Sequence, residues 1–236
     1  LDLFWLDALT YIALNWDGAA KVLLVSNQLG VYAYGVQFLA HEQRGFTPYY
    51  NPDTGENLGD PISALQQFAG TRPCFLHPQS LPGYLVPMGL LENTSTPTLD
   101  PIFVYSYSAI VRALYVQGIC DFGVSYALIG DARTGSDIVQ DLPDAQNAIR
   151  IIWQSDGIIP NLNLSSSSDL PLNLQVILQE SFLNLANSAD GSALLSAALK
   201  SDIADLKIVQ DSFYNSLRAI IVDLNVDLQD FLSQNP

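Results

Sequence analysis

Short apolar runs along this chain alternate with segments whose apolar residues recur at helical spacing. Residues 1–40 read as strand, helix, strand, strand. Leu1 to Trp5 reads as a buried strand and Leu3-Phe4-Trp5-Leu6 as a short apolar strand, residues 7–14 form a helix, and residues 21–25 and 35–40 are β-rich runs. Residues 44–60 are turn-rich, because proline fixes φ and glycine supplies a positive φ in Asn51-Pro52-Asp53-Thr54-Gly55. A short helix over 62–68 follows, then a strand at 74–76, a loop at 77–80 and a helix over about 81–91. Residues 102–104 predict a strand and 108–116 a helix ending near Gly118. Residues 120–124 and 149–153 predict two more strands, and Asp141-Leu142-Pro143-Asp144 reads as a turn and helix start. The tail is helical. Leu170-Pro171 opens a helix carrying Leu174, Ile177, Leu178, Phe182, Leu185 and Ala186, residues 192–199 form another, and Phe213, Leu217, Ile220 and Ile221 mark a third. The serine run 165–168 reads as a loop. The alternation of strand and helix predicts an α/β fold with mainly parallel sheets.

Charge narrows the function classes. The chain has 236 residues, enough for one large domain or two lobes with real cores, and 24 acidic against 9 basic residues give a net charge of −15. No nucleic acid is expected as a partner, since a basic footprint is needed to displace counterions. Anionic lipid surfaces are disfavoured for the same reason. With 49% hydrophobic residues the chain is not disordered, and no apolar run has the roughly 18–20 residues of a membrane span. The first residue is Leu1 within a strand-like run, so the sequence reads as a fragment whose front has been lost. The absence of a leader therefore carries no information about compartment.

No catalytic chemistry is legible, so an enzyme is not expected. The histidines His41 and His77 have no patterned nucleophile beside them, and the phosphate-loop, dinucleotide and nucleophile-elbow motifs are absent. Two cysteines and two histidines give no metal-site spacing, and no cofactor is expected. Cys74 and Cys120 both fall in predicted core strands. A bridge between them and two buried thiols are both open readings.

Five strings, in this order, carry a resemblance. They are Leu3-Phe4-Trp5-Leu6, then Tyr34-Gly35-Val36-Gln37-Phe38, then residues 74–87 from Cys74 through Gln79-Ser80-Leu81-Pro82-Gly83-Tyr84. After these come Val111-Arg112-Ala113-Leu114 with Gly118-Ile119-Cys120-Asp121-Phe122-Gly123, and Ile151-Ile152-Trp153-Gln154-Ser155 with Ile158-Ile159-Pro160-Asn161. The chain resembles the periplasmic phosphate/phosphite/phosphonate-binding proteins of bacterial ABC transporters. It is similar above all to lipoprotein versions that carry the insertion at residues 48–57. The resemblance implies a two-lobed type II periplasmic-binding-protein-like fold with a ligand cleft between the lobes. Residues 1–42 plus 160–236 would form one lobe, its N-terminal part missing, and residues 43–159 the other. It implies an extracytoplasmic substrate-binding component, periplasmic or extracellular and membrane-anchored as a lipoprotein, whose partners are a small-molecule ligand and ABC permease subunits. A receptor of the same fold that senses without importing phosphonate is the alternative.

The resemblance also implies ligand-binding positions: Tyr34, Ser80, Leu81, Pro82, Gly83, Tyr84, Tyr107 and Asn161. The family grips an oxyanion at a helix N-terminus, where free N–H groups and the dipole favour negative charge. Ser80 keeps one of three family hydroxyls; Leu81 and Pro82 replace the other two, and Pro82 also removes an N–H. The same residues also read as an ordinary helix start with Ser80 as cap. Tyr107 falls on a usual histidine, Leu6 on a tyrosine and Leu162 on an aspartate. The implied pocket is less polar and richer in aromatics, with Trp5, Tyr34, Tyr84 and Tyr107, and fits an oxyanion-like or less charged ligand.

Overall fold

The computed structural model describes residues 2–233, so Leu1 of the first expected strand lies outside the described residues. In chain order the first elements are β1 (Leu3–Leu6), α1 (Ala8–Trp16), β2 (Ala20–Ser26) and β3 (Ala33–His41). Next come β4 (Tyr50–Asn51), β5 (Glu56–Asn57), α2 (Pro61–Gln66), β6 (Pro73–Phe75), α3 (Val86–Asn93), β7 (Ile102–Phe103) and α4 (Tyr107–Val116). They are followed by β8 (Phe122–Ala127), α5 (Ser136–Asp141), α6 (Ala145–Ala148), β9 (Ile149–Gln154), β10 (Ile159–Pro160) and β11 (Asn163–Ser167). The tail holds α7 (Leu172–Ala186), α8 (Ala189–Leu199), β12 (Leu206–Ile208), α9 (Asn215–Asp223) and α10 (Leu228–Ser233).

Helix starts follow from the sequence. Asp7 caps α1, Asp60 precedes Pro61 at the first turn of α2, and Ser106 caps α4, each side-chain oxygen accepting an orphan N–H. The chain forms two compact units. One comprises residues up to Tyr34, Gly157–Ala219 and from Asp227 onward; the other comprises Gly35–Asp156 and Ile220–Val226.

The first unit is built on a sheet of order β1-β11-β2-β12, every pair antiparallel. β10 pairs antiparallel with the first two residues of β3. Its core buries Leu23, Leu24, Leu164, Ala186, Leu195 and Leu206, with Trp5 edge-on to Phe182 at 6.1 Å. Tyr11, Ile12, Tyr214 and Leu217 are also buried in this unit. There Tyr11 donates to Asp211 at 2.6 Å, and Arg218 clamps the same carboxylate.

The second unit has β3 paired to both β8 and β9, antiparallel, with β6 and β7 continuing parallel to β8. Phe38, Phe68 and Phe122 stack in its core, and Gly35 is held close to the Ser155 and Asp156 carbonyls, 2.6 Å from where a Cβ would sit. Cys74 and Cys120 are joined, with Cα atoms 5.6 Å apart, inside a cluster with Leu39, Ile110, Val111 and Leu114.

Three expectations are corrected. The sheets are mainly antiparallel: only β6·β7 and β6·β8 are parallel among the described strand pairs. In the first unit β11, which the serine run disguised as a loop, returns from a distant part of the chain and inserts between β1 and β2, and in the second β3 pairs antiparallel with both β8 and β9. Cys120 precedes β8 and does not lie in it. The apolar residues of α7 also divide, since Leu174, Ile177 and Leu185 are exposed whereas Ala186 is buried.

Candidate functional site

In the second unit the Ser80 loop lies at the C-terminal end of β6. Ser80 is buried and extended, and its hydroxyl oxygen accepts the Gly83 N–H at 2.9 Å. The first turn, Leu81–Leu85, is wide: the Leu85 N–H donates to the Ser80 carbonyl at 3.0 Å, five residues back, and α3 continues from it. Gly83 is required there, because a Cβ would lie 2.4 Å from Leu76 Cβ and 2.7 Å from Ser80 Oγ. Two consequences follow for an anion. Pro82 has no N–H, and the Gly83 N–H is already taken by Ser80. Tyr84 is wedged between Phe75 and Phe103, edge-on to each at 5.3 Å, and so packs the turn against β6 and β7.

A second helix start, that of α4, lies in the same unit. Since β7 runs parallel to β6 and β8, the helix connecting β7 to β8 must run back against them. Its first residue therefore sits at the strands' C-terminal ends. A Cβ at Gly123 would meet Ile110 at 2.5 Å and Leu114 at 3.3 Å, and three residues further along β8 the Tyr107 ring meets Tyr126 edge-on at 4.9 Å. β8 also packs on the Leu81–Leu85 turn. Both helix starts thus converge on one end of one strand.

In the first unit Tyr34 is half-buried at the start of β3, opposite Ile159. Burial first, and then the charge of Asp7, push its hydroxyl up to about 12. It is a neutral phenol at physiological pH. Asp7 fills the start of α1 with its own carboxylate, accepting the Leu9 and Thr10 N–H groups at 2.9 and 3.0 Å and the Thr10 hydroxyl at 2.6 Å. Asn161 is buried, and its amide donates to the Val31 carbonyl at 2.7 Å and the Ser26 carbonyl at 3.4 Å. Leu162 is half-buried and its carbonyl accepts from both the backbone and the hydroxyl of Ser26.

The Tyr34 shift has a testable sign. A raised native value means that the fold holds this proton more tightly than the unfolded chain. The associated stability is present below about 10, the ordinary tyrosine value, and is lost as pH rises towards 12. Burial likewise raises Tyr11 and Tyr214. Tyr34→Phe is expected to move the alkaline unfolding midpoint upward, as read by circular dichroism against pH. A downward shift would show that the hydroxyl itself holds the fold together.

Sequence reasoning missed two residues. Gln37 and Ser125 lie directly opposite each other on β3 and β8, 2% and 0% exposed, and Gln37 Nε2 and Ser125 Oγ have no hydrogen-bond partner. Their signal was available as a lone polar residue inside each apolar run, Val36-Gln37-Phe38 and Val124-Ser125-Tyr126.

A groove of about 510 Å³ lies elsewhere in the second unit, lined by Pro48, Tyr50, Pro52 and Arg150 among others. It contains none of the expected ligand positions. Its two guanidinium groups are already paired, Arg133 with Asp131 and Arg150 with Glu42. Among the described residues no cluster of metal-ligating side chains occurs, and no helix is long and apolar enough to cross a membrane.

Residues 1–214 match the family described as ABC transporter, phosphonate, periplasmic substrate-binding protein. Over 109 residues the chain is 31% identical to the phosphate-import protein PhnD of Mycolicibacterium smegmatis, a stretch covering 42% of this chain and 32% of that protein. The match thus spans about a third of that relative's length. Among solved structures, a Xanthomonas citri protein bound to chloride ion superposes with a TM-score of 0.64 at 14% identity, over 99% of this chain and 79% of that one. PhnD1 of Prochlorococcus marinus in complex with methylphosphonate gives 0.58 at 15% identity, over 95% and 79%. At these identities the structural likeness speaks for the fold, which is that of the type II periplasmic binding proteins.

Proposed function

The chain belongs to the family of periplasmic substrate-binding proteins of phosphonate ABC transporters, and on that premise we propose that it captures a small acceptor-rich ligand outside the cytoplasm and presents it to a membrane permease. In this reading the ligand carries less negative charge than phosphate or a simple phosphonate dianion. The observation that carries it is the Ser80 turn. Of the three hydroxyls the family uses, Ser80 supplies one, and that one caps its own helix. The first unit supports the same reading, because Asp7 already occupies the start of α1 and its charge acts on Tyr34. An anion brought there would meet a carboxylate, and a net charge of −15 supplies no general attraction. Asn161 then shapes the site by holding the 26–31 turn, while Tyr34 serves as a neutral donor. The Cys74–Cys120 bridge agrees with an oxidising, extracytoplasmic location, where a lipid anchor in the manner of the lipoprotein relatives would keep the protein beside its permease.

Calorimetry with inorganic phosphate and methylphosphonate tests this. The native chain is expected to bind both weakly. The double variant Leu81→Thr/Pro82→Ser restores two hydroxyls and one N–H. Charge-assisted hydrogen bonds contribute roughly 1.5–3 kcal/mol each, so phosphate affinity should rise at least about tenfold. Sub-micromolar phosphate binding by the native chain would overturn the reading.

A further inference from the structure

We propose that Gln37 and Ser125 are ligand-contacting donors of this chain, forming a polar floor beneath the two helix starts of the second unit. The inference deepens the function proposed above and rests on it.

Buried hydrogen-bonding groups in folded proteins are paired in the great majority, so two unpaired donors side by side need an explanation. Gln37 and Ser125 are directly opposed across β3 and β8, and side chains opposed in this way share a face of the sheet. Gln154 on β9 is opposed to Gln37 on the other side. A polar row therefore crosses three strands, from half-buried Gln154 through Gln37 to Ser125. The face is fixed by Gly123, which contacts Ile110 and Leu114 of α4. Ser125, two residues further on, points the same way and lies one helical turn nearer the start of α4. β6 pairs parallel with β8 at Cys74↔Gly123, β8 packs on the Leu81–Leu85 turn, and Leu76, just past the end of β6, is the residue on which Gly83 of the Ser80 turn rests. The unpaired Gln37 Nε2 and Ser125 Oγ thus sit where both helix starts converge.

Two neutral donors at this place suit acceptor oxygens of low charge. They stand in for the hydroxyls absent at Leu81 and Pro82 without adding positive charge. The ligand class is a small molecule with P–O or comparable acceptor oxygens and at most one formal negative charge on them, as in a phosphonate monoester.

The test is the double variant Gln37→Met/Ser125→Ala, which keeps volume and removes both donors. It is titrated with methylphosphonate, its monomethyl ester and inorganic phosphate, and unfolded in urea beside the native chain. The expected result has two parts. Affinity for the probe that the native chain binds most tightly, expected to be the monoester, falls at least about tenfold. The urea midpoint of the ligand-free protein stays level or rises, because no native hydrogen bond is lost. Unchanged affinity, or a lower midpoint, would overturn the inference while leaving the proposed function standing. If the native chain binds none of the three probes, the proposed function falls and this inference with it.

Discussion

Reducing the Cys74–Cys120 bridge in the native chain is expected to remove about 4 kcal/mol of unfolding free energy, the loop-closure entropy of a crosslink spanning 46 residues. The chain between the two cysteines contains the Ser80 turn, α3, β7 and α4, and so both helix starts described above. Both sulfurs are buried against Leu39, Ile110 and Leu114, so the folded unit keeps its packing when the bond opens; what changes is the freedom of the unfolded chain. Reduction is a cleaner test than Cys→Ser substitution, which would also bury two hydroxyls in an apolar cluster. Urea unfolding with and without a strong reductant reads the effect as a fall in midpoint. An unchanged midpoint would mean that the two thiols are not bridged in solution. The expected loss also bears on location, since a chain losing this much on reduction is suited to an oxidising compartment.

Arg133→Met should lower stability by about 3 kcal/mol, the lower end of what breaking a buried ion pair costs. Arg133 is 9% exposed, and its guanidinium grips Asp131 with Nε and Nη2 while Nη1 donates to the Ile149 carbonyl at 2.7 Å. Methionine keeps the apolar stem but leaves a partly buried carboxylate and a carbonyl without this partner. Asp131→Asn should cost less, because its amide oxygen still accepts from the Arg133 side chain. The double variant should cost less than the sum of the two singles, since they remove the same interaction. Strict additivity in a double-mutant cycle would show that Arg133 acts through packing alone. Neither residue belongs to the proposed ligand site, so binding by the folded variant should be unaffected.

Much of this molecule was written locally. Asp7, Asp60, Ser80 and Ser106 mark helix starts because a short oxygen-bearing side chain satisfies an orphan N–H within three residues. The β-rich runs of β2, β3 and β8 announced themselves because apolar, β-branched and aromatic residues pack well on a pleated, buried surface. The loss of two hydroxyls at Leu81 and Pro82 needed only the letters and a family register. The rest depended on neighbours far along the chain. Asn163-Leu164-Ser165-Ser166-Ser167 reads as a loop, since serine favours local backbone bonds. Inserted between β1 and β2 it becomes a buried strand in which small hydroxyls fit, Ser165 donating to Asn163 at 2.6 Å. That insertion also sets the sheet antiparallel, which no local pattern encodes. Asn161 is another case, because which carbonyls its amide reaches is decided by how the 26–31 turn folds back. Gln37 and Ser125 look like ordinary polar interruptions until β3 and β8 are placed in register. The sequence alone therefore determined the helix starts and the apolar strands, because these depend on chemistry within a few residues. Only the tertiary structure decided strand order, the partners of buried amides and the pairing of two unsatisfied donors, because these depend on which distant segments share a sheet.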